Sequence, residues 1–365
     1  MNNETTCKHT INIKLVSKDQ QKTIIQDHSK LGFGQRFTDH MFLMEYENGA
    51  WKNPRIEPYH DFQLDPATMV LHYGQGIFEG LKAYRKENNV YLFRPEKNIT
   101  RMNISAKRMM MPPVDESLVL EALKQFCRLE KEWIPDSHET ALYLRPTMIA
   151  TDISLGVKPS LHYLFYIIAS PVGPYYASGY QPITLFVTDQ YTRAAPGGAG
   201  EAKTMGNYAS SMLATHEAHE AGFNQVLWLD AIEKKYIEEV GVMNFFVLFK
   251  NELVTPQLTG TILPGVTRDS VITLAKSWGQ KISERQLSIH ELTQGLESGD
   301  VTEMFGAGTA AVISPVSHIH YKDITYQAGD GSVGKFTKKV FEELTAIQYG
   351  KKEDPFGWIC QVCQN

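Results

Sequence analysis

The first half of the chain carries short apolar runs of strand type: Met41-Phe42-Leu43-Met44-Glu45-Tyr46, Val90-Tyr91-Leu92-Phe93, Ala141-Leu142-Tyr143-Leu144-Arg145 and Tyr163-Leu164-Phe165-Tyr166-Ile167-Ile168. Between them, helical spacing of apolar positions predicts helices over 97–110 and 116–132. About thirty mostly polar residues precede these elements, and the whole predicts an α+β domain over 1–174. The stretch from Ser170 to Pro182 concentrates Pro, Gly and Ser between two strands, as a connection between domains does, and 175–182 is the expected linker. Beyond it, strands over 183–188, 225–230, 244–250, 301–305 and 311–314 are interspersed with helices over 207–221, 265–278, 290–297 and 334–347. No segment repeats another at a fixed period. The expectation is a mixed α/β second domain over 183–365.

Composition narrows the classes. With 365 residues and 42% hydrophobic content, the chain is long enough for two cores, since single cores rarely grow past roughly 250 residues. The 36 Lys+Arg against 41 Asp+Glu leave a net charge of -5 and form no basic stripe, so nucleic acid is not an expected partner. Met1 to His9 has neither the apolar segment of a signal peptide nor an Arg-rich presequence, and no later run reaches the ~18 apolar residues of a membrane span. A cytoplasmic protein with no membrane partner is expected. Four cysteines are too few for a disulfide framework, and Cys7 and Cys127 read as ordinary thiols. Cys360 and Cys363 have Cys-x-x-Cys spacing without a second pair. His216 and His219 stand three apart rather than the four of a zinc-protease helix, and His318 and His320 have no carboxylate cluster, so no metal site is expected.

The chemistry centres on Lys203. Gly197-Gly198-Ala199-Gly200-Glu201-Ala202 leads to it, and Thr204-Met205-Gly206-Asn207-Tyr208 carries the chain into a predicted helix. Ala202 stands where a Walker A loop needs glycine, and Lys203 takes the last glycine of a dinucleotide fingerprint, so neither phosphate-loop template fits. A solvated lysine at a helix start and a lysine placed to react with an aldehyde share this local sequence. Three other segments favour the second. In Glu238-Glu239-Val240-Gly241-Val242, a carboxylate precedes a glycine turn; Leu263-Pro264-Gly265-Val266-Thr267-Arg268 opens a helix whose Val266 and Thr267 amides suit an anion; Phe305-Gly306-Ala307-Gly308-Thr309-Ala310 is a small-residue turn offering backbone donors and a hydroxyl. A reactive lysine, an acid and an anion site together match the demands of pyridoxal 5'-phosphate: an aldehyde, a ring nitrogen that works best protonated, and a phosphate.

With these motifs in this order, the chain resembles the branched-chain amino acid aminotransferases, members of the fold-type-IV group of pyridoxal-phosphate enzymes. The resemblance runs from Phe33-Gly34-Gln35-Arg36-Phe37 through Tyr73-Gly74-Gln75-Gly76-Ile77-Phe78-Glu79-Gly80 to Glu343-Leu344-Thr345-Ala346-Ile347. It implies a two-domain architecture with the active site between the domains, and a homodimer. It implies that Lys203 carries the cofactor, Tyr208 contacts its phenolic oxygen, Glu239 its ring nitrogen, and Arg101, Val266, Thr267 and Thr309 its phosphate, with Leu263 against the ring. The implied substrate pocket takes Phe33, Tyr73, Phe78, Tyr143, Arg145, Val242 and Ala310, with Tyr73, Leu155 and Val157 in a part shared across the dimer interface.

The implied activity is reversible transfer of the amino group from L-leucine, L-isoleucine or L-valine to 2-oxoglutarate. D-amino acid aminotransferase and aminodeoxychorismate lyase use a similar fold and lysine, and a non-catalytic relative would keep the fold alone. Two departures from the mammalian members stand out: Ala311 and Ser314 replace a redox Cys-x-x-Cys, and Val242 replaces a threonine, leaving only its backbone amide for substrate.

Overall fold

The computed structural model describes residues 10–137, 139–174 and 179–362. Tyr175–Ser178 of the expected linker, Cys7 and Cys363 lie outside them. The chain divides into two compact units: one of residues up to Pro174 together with those from Gln348 onward, the other running to Ile347.

In the first unit, strands β1 (Asn12–Ile13), β2 (His40–Glu47) and β3 (Ala50–Pro58) precede helix α1 (Met69–Tyr73). Strands β4 (Gly76–Phe78), β5 (Leu81–Lys86) and β6 (Asn89–Phe93) follow, then α2 (Pro95–Arg108), α3 (Glu116–Leu129), β7 (Ala141–Ala150) and β8 (Tyr163–Val172). Proline at the first turn of α2 needs no backbone partner there, and the Asp115 side chain caps α3 by accepting from Ser117 N at 2.9 Å and Leu118 N at 3.1 Å. Ile99, Met102 and Ala106 of α2 and Val119, Ala122, Leu123 and Phe126 of α3 recur at helical spacing and bury one face each. They join a core with Phe42, Leu92, Leu142, Leu144 and Phe165 of the sheet.

In the second unit come β9 (Ile183–Thr188), α4 (Met205–Ala209), α5 (Met212–Glu220), β10 (Gln225–Leu229), β11 (Ile237–Val240), β12 (Met243–Phe249) and β13 (Glu252–Thr255). Then follow α6 (Val266–Ser277), β14 (Ile282–Glu284), α7 (Ile289–Ser298), β15 (Val301–Gly308), β16 (Val312–Tyr321), β17 (Ile324–Gln327) and α8 (Lys335–Gln348). Because β11 pairs with β12 as well as β10, the path β11-β10-β9-β16-β15-β12 closes on itself as a ring. Leu185, Leu227, Ile237, Phe245 and Val316 of the ring pack with Leu292 and Leu296 of α7.

Two expectations need correction. The C-terminal segment belongs with the first unit: β18 (Ile359–Val362) pairs antiparallel with β6, from Ile359 opposite Phe93 to Val362 opposite Val90. It covers an edge whose backbone groups would otherwise stand unpaired. The helix expected over 207–221 is broken between α4 and α5, where Ser211 Oγ donates to Tyr208 O at 2.8 Å and Ser210 Oγ to Asn207 O at 3.3 Å. Such local hydroxyl bonds compete with the helical pattern. Glu238 and Glu239 lie on strand β11, directly before the turn at Gly241 and Val242.

Candidate active site

Glu239 owes its position to a two-residue hairpin. Strands β11 and β12 pair with Val240 opposite Met243 and Glu239 opposite Asn244, leaving Gly241 and Val242 as the turn. Gly241 has φ +55°, which glycine adopts without steric cost, and a side chain there would also strike Gln225. The cross-strand pairing lets Asn244 Nδ2 donate to Glu239 Oε1 at 3.0 Å and to Leu263 O at 2.9 Å, while Leu263 N donates to the same Oε1 at 3.1 Å. On the other oxygen, Arg193 Nε stands 2.8 Å from Glu239 Oε2, both side chains being buried. That N–H is poorly aligned for a hydrogen bond, so the pair is a charge contact. Burial raises the pKa of the Glu239 carboxyl, while Arg193, the Leu263 amide and Lys203 pull it back and Glu238 adds to the rise.

Lys203 is held by its loop. Asn207 Nδ2 donates to Ala199 O at 2.7 Å and Ala202 O at 2.9 Å, stapling the glycine-rich approach onto α4. Gly200 packs so tightly on the backbone of Thr261 that any side chain would overlap it. Lys203 Nζ thereby reaches Tyr208 Oη at 2.6 Å. Arg193, Tyr208, Glu239, Val242 and Leu263 line one narrow cavity.

Helix α6 begins at Val266 and Thr267, both buried, with Gly265 in the capping position and so no side chain from that position to cap the helix. Asn244 is the reason: a Cβ at 265 would overlap its Oδ1, so no Ser, Thr or Asp cap fits. The N-terminus of α6 is therefore suited to an anion from outside the chain. Thr309 and Ala310 occupy the turn between β15 and β16, whose register places Gly308 opposite Val312. Gly306 and Gly308 abut Met243, which sets this turn beside the β11–β12 hairpin.

In the first unit, Tyr143 and Arg145 alternate onto one face of β7. Arg145 Nη2 donates to Tyr143 Oη at 3.2 Å, its guanidinium lies 4.6 Å from the centre of the Phe78 ring, and Phe33 meets Tyr143 with ring centres 5.0 Å apart. Arg145 Nε is buried and, among the described residues, has no hydrogen-bond partner. Arg101 is buried on α2 and grips Glu79 with Nε at 2.7 Å and Nη2 at 2.8 Å; Asn98 Nδ2 adds a third donor at 2.9 Å. Tyr73 Oη donates to Leu155 O, while the side chains of Leu155 and Val157 are exposed.

Residues 76–319 match the family model for amino-transferase class IV. The chain is 52% identical to the branched-chain-amino-acid transaminase 1 of Bacillus subtilis (strain 168), over 94% of this chain and 99% of that one. It is a class IV aminotransferase of the branched-chain amino acid aminotransferase group. Among solved structures it resembles the branched-chain amino acid aminotransferase of Escherichia coli, with TM-score 0.74 and 30% identity over 89% of this chain and 99% of that one. It also resembles the branched-chain amino acid aminotransferase of Thermoproteus uzoniensis with norvaline, with TM-score 0.72 and 26% identity over 89% and 100%. A third solved relative, a branched-chain amino acid aminotransferase with pyridoxamine 5'-phosphate, gives TM-score 0.72 and 27% identity over 88% and 98%. The architecture of the chain is that of fold type IV.

Several parts of this aminotransferase escape a reading of its sequence. Arg193 sits in an unpatterned loop after β9, and Asn244 reads as one more strand residue. Glu238 is buried on the opposite face from Glu239, its Oε1 accepting from Thr261 Oγ1, with its pKa raised by burial. The signals that could have found Asn244 are the Gly-x turn and the two-residue hairpin register it fixes. The histidines set aside as metal ligands are otherwise engaged: His219 Nε2 lies 2.9 Å from Asn224 O, and His318 Nε2 3.1 Å from Gln327 Oε1.

Proposed function

We propose that the chain transfers the amino group of L-leucine, L-isoleucine or L-valine to 2-oxoglutarate, using pyridoxal 5'-phosphate carried on Lys203. The observation that carries this reading is the approach of Lys203 Nζ to Tyr208 Oη at 2.6 Å, with Tyr208 lining the same cavity as the anchored, buried Glu239. The residues fit the group: an amine for its aldehyde, a buried acid for its ring nitrogen, and a helix N-terminus that Asn244 leaves without a side-chain cap for its phosphate. When bound, pyridoxal phosphate supplies an aldehyde that condenses with amines and a ring that withdraws electrons from the neighbouring carbon.

The chain's own residues do the rest. Lys203 Nζ, freed as a neutral amine when the substrate amine replaces it on the aldehyde carbon, would move the proton from the substrate Cα to that carbon. Tyr208 Oη accepts from Lys203 Nζ and would hydrogen-bond the cofactor's phenolic oxygen. Glu239 would hold a proton on the ring nitrogen. The Val266 and Thr267 amides and the Thr309 hydroxyl would hold the phosphate, with Arg101, whose Nε and Nη2 are paired with Glu79, as a further cation for it, and Leu263 would pack on the ring. Phe33, Phe78, Tyr143 and Tyr73 supply apolar walls for the aliphatic side chain, with the Val242 amide and Ala310 near the substrate carboxylate. Arg145, with its buried donor, binds the distal carboxylate of glutamate. We infer a cytoplasmic homodimer. The run Ile153, Leu155, Val157 and Leu161, exposed from 65% to 86%, supports an interface on the first unit, since such apolar patches mark contact surfaces.

The test is glutamate formation from 2-oxoglutarate with L-leucine or D-alanine as donor. Formation with L-leucine and none with D-alanine is expected; preference for D-alanine would place the chain with the D-amino acid aminotransferases, and no transfer from any donor would leave a non-catalytic relative.

A further inference from the structure

Arg193 belongs to none of the motifs that mark the site, yet it joins three of its parts. Its Nε faces Glu239 Oε2 at 2.8 Å, and its Nη2 donates to Gly200 O at 3.1 Å and to Thr261 O. Gly200 lies three residues before Lys203, and Thr261 two residues before Leu263, whose amide binds the other oxygen of Glu239. One guanidinium thus ties the lysine loop, the 261–263 segment and strand β11 together. The groups facing Glu239 are Arg193, Lys203, Asn244 and the Leu263 amide, while Glu238, on the opposite face of β11, acts on it as a like charge. Asn244 and the Leu263 amide are neutral dipoles, and the amine of Lys203 is committed to the reaction. That leaves Arg193 as the permanent cation in contact with the carboxylate, and a guanidinium keeps its charge throughout the working pH range.

We infer that Arg193 is a positioning residue that keeps Glu239 ionised and aimed, so that Glu239 holds the proton on the ring nitrogen of bound pyridoxal phosphate; this rests on the cofactor reading above. Without Arg193, burial of Glu239 is no longer offset by a full positive charge, Glu239 takes up a proton, and the ring nitrogen loses its counter-ion. The three backbone and side-chain contacts also make Arg193 a gauge of the distance between the lysine loop and the acid.

The experiment uses the holoenzyme reconstituted with pyridoxal phosphate labelled with 15N in the ring, whose chemical shift reports protonation of that nitrogen directly. Wild type, Arg193→Gln and Arg193→Lys are titrated with pH, with circular dichroism confirming the fold. In Arg193→Gln the midpoint for loss of the ring proton falls by about 1–3 pH units, the range over which a neighbouring charge moves a titration, and Arg193→Lys restores most of it. The rate of the half-reaction with L-leucine falls in parallel. A ring nitrogen in Arg193→Gln that titrates as in wild type overturns the inference while leaving the cofactor assignment intact. If Arg193→Gln does not retain cofactor, Arg193→Lys decides: a loaded enzyme whose nitrogen is unprotonated at neutral pH refutes the role, and a protonated one supports it. A wild-type protein that binds no cofactor sinks both readings.

Discussion

Replacing Gly265 by alanine sets two effects of opposite sign against each other. The backbone at 265, with φ -70° and ψ 133°, suits alanine, so reduced freedom of the unfolded chain by itself predicts a gain of about 0.4–1 kcal/mol. The contacts predict the reverse. The new Cβ would overlap Asn244 Oδ1 and stand 3.2 Å from its Cγ and 3.3 Å from Arg268 Cβ. Asn244 cannot swing aside freely, because its Nδ2 binds Glu239 Oε1 and Leu263 O. Losing a hydrogen bond to a charged group costs about 1.5–3 kcal/mol, and forcing an extra methyl into a packed site about 1–3. The net expectation is a loss of about 1.5–5.6 kcal/mol once the entropic gain is subtracted. Chemical denaturation of Gly265→Ala, Asn244→Ala and the double variant isolates the cause. In the Asn244→Ala background the obstacle is gone, so adding Gly265→Ala should be neutral or stabilising. A single Gly265→Ala variant as stable as wild type, or one equally costly in both backgrounds, refutes the coupling of the helix cap to the Glu239 anchor.

Other outcomes follow from the same geometry. Arg145→Met should weaken productive binding of 2-oxoglutarate roughly 10–100-fold, the worth of a charged hydrogen bond, while the half-reaction with L-leucine changes only a few-fold in steady-state and single-turnover assays. Asp230 accepts from the amides of Ile232, Glu233, Lys235 and Tyr236; burial pushes its carboxyl upward, but these donors outweigh it and hold the pKa below the usual value. Its stabilisation is therefore present above the unfolded pKa and lost as pH falls through the lower folded one. Asp230→Ala should cost about 1–2 kcal/mol at pH 7, and urea denaturation should show the difference from wild type shrinking below about pH 4. Cys127 is fully buried and burial pushes its thiol pKa far upward, so a thiol reagent should label it only after unfolding, and mild oxidation should leave amino transfer unchanged.

The elements that the sequence made legible are those whose own residues bury a face. The helices expected over 97–110, 116–132 and 265–278 appear at Pro95–Arg108, Glu116–Leu129 and Val266–Ser277, and the strand over 183–188 at Ile183–Thr188. What stayed hidden depends on partners far along the chain or on local exceptions. Strand β11 is buried on both faces and contains two glutamates, so it shows no alternation. Strand β3 carries Lys52, Asn53, Pro54, Arg55 and Glu57 and reads as a loop. Strand β18 exists because β6 offers an edge, a pairing across more than 260 residues that no local window contains. The same division holds for the site. Lys203, Glu239 and the start of α6 announce themselves through glycines and their spacing, whereas Arg193 acts through contacts that only the folded second unit creates.

The claim that Lys203 and its neighbours carry out amino transfer from a branched-chain L-amino acid is tested most directly by the absorbance spectrum of the cofactor-loaded protein, recorded before and after addition of L-leucine. The account predicts that L-leucine converts the visible band of the lysine-bound cofactor to the shorter-wavelength band of its amine form, and that 2-oxoglutarate restores it. A spectrum that L-leucine leaves unchanged while D-alanine discharges it, or a protein that shows no cofactor band at all, would contradict it.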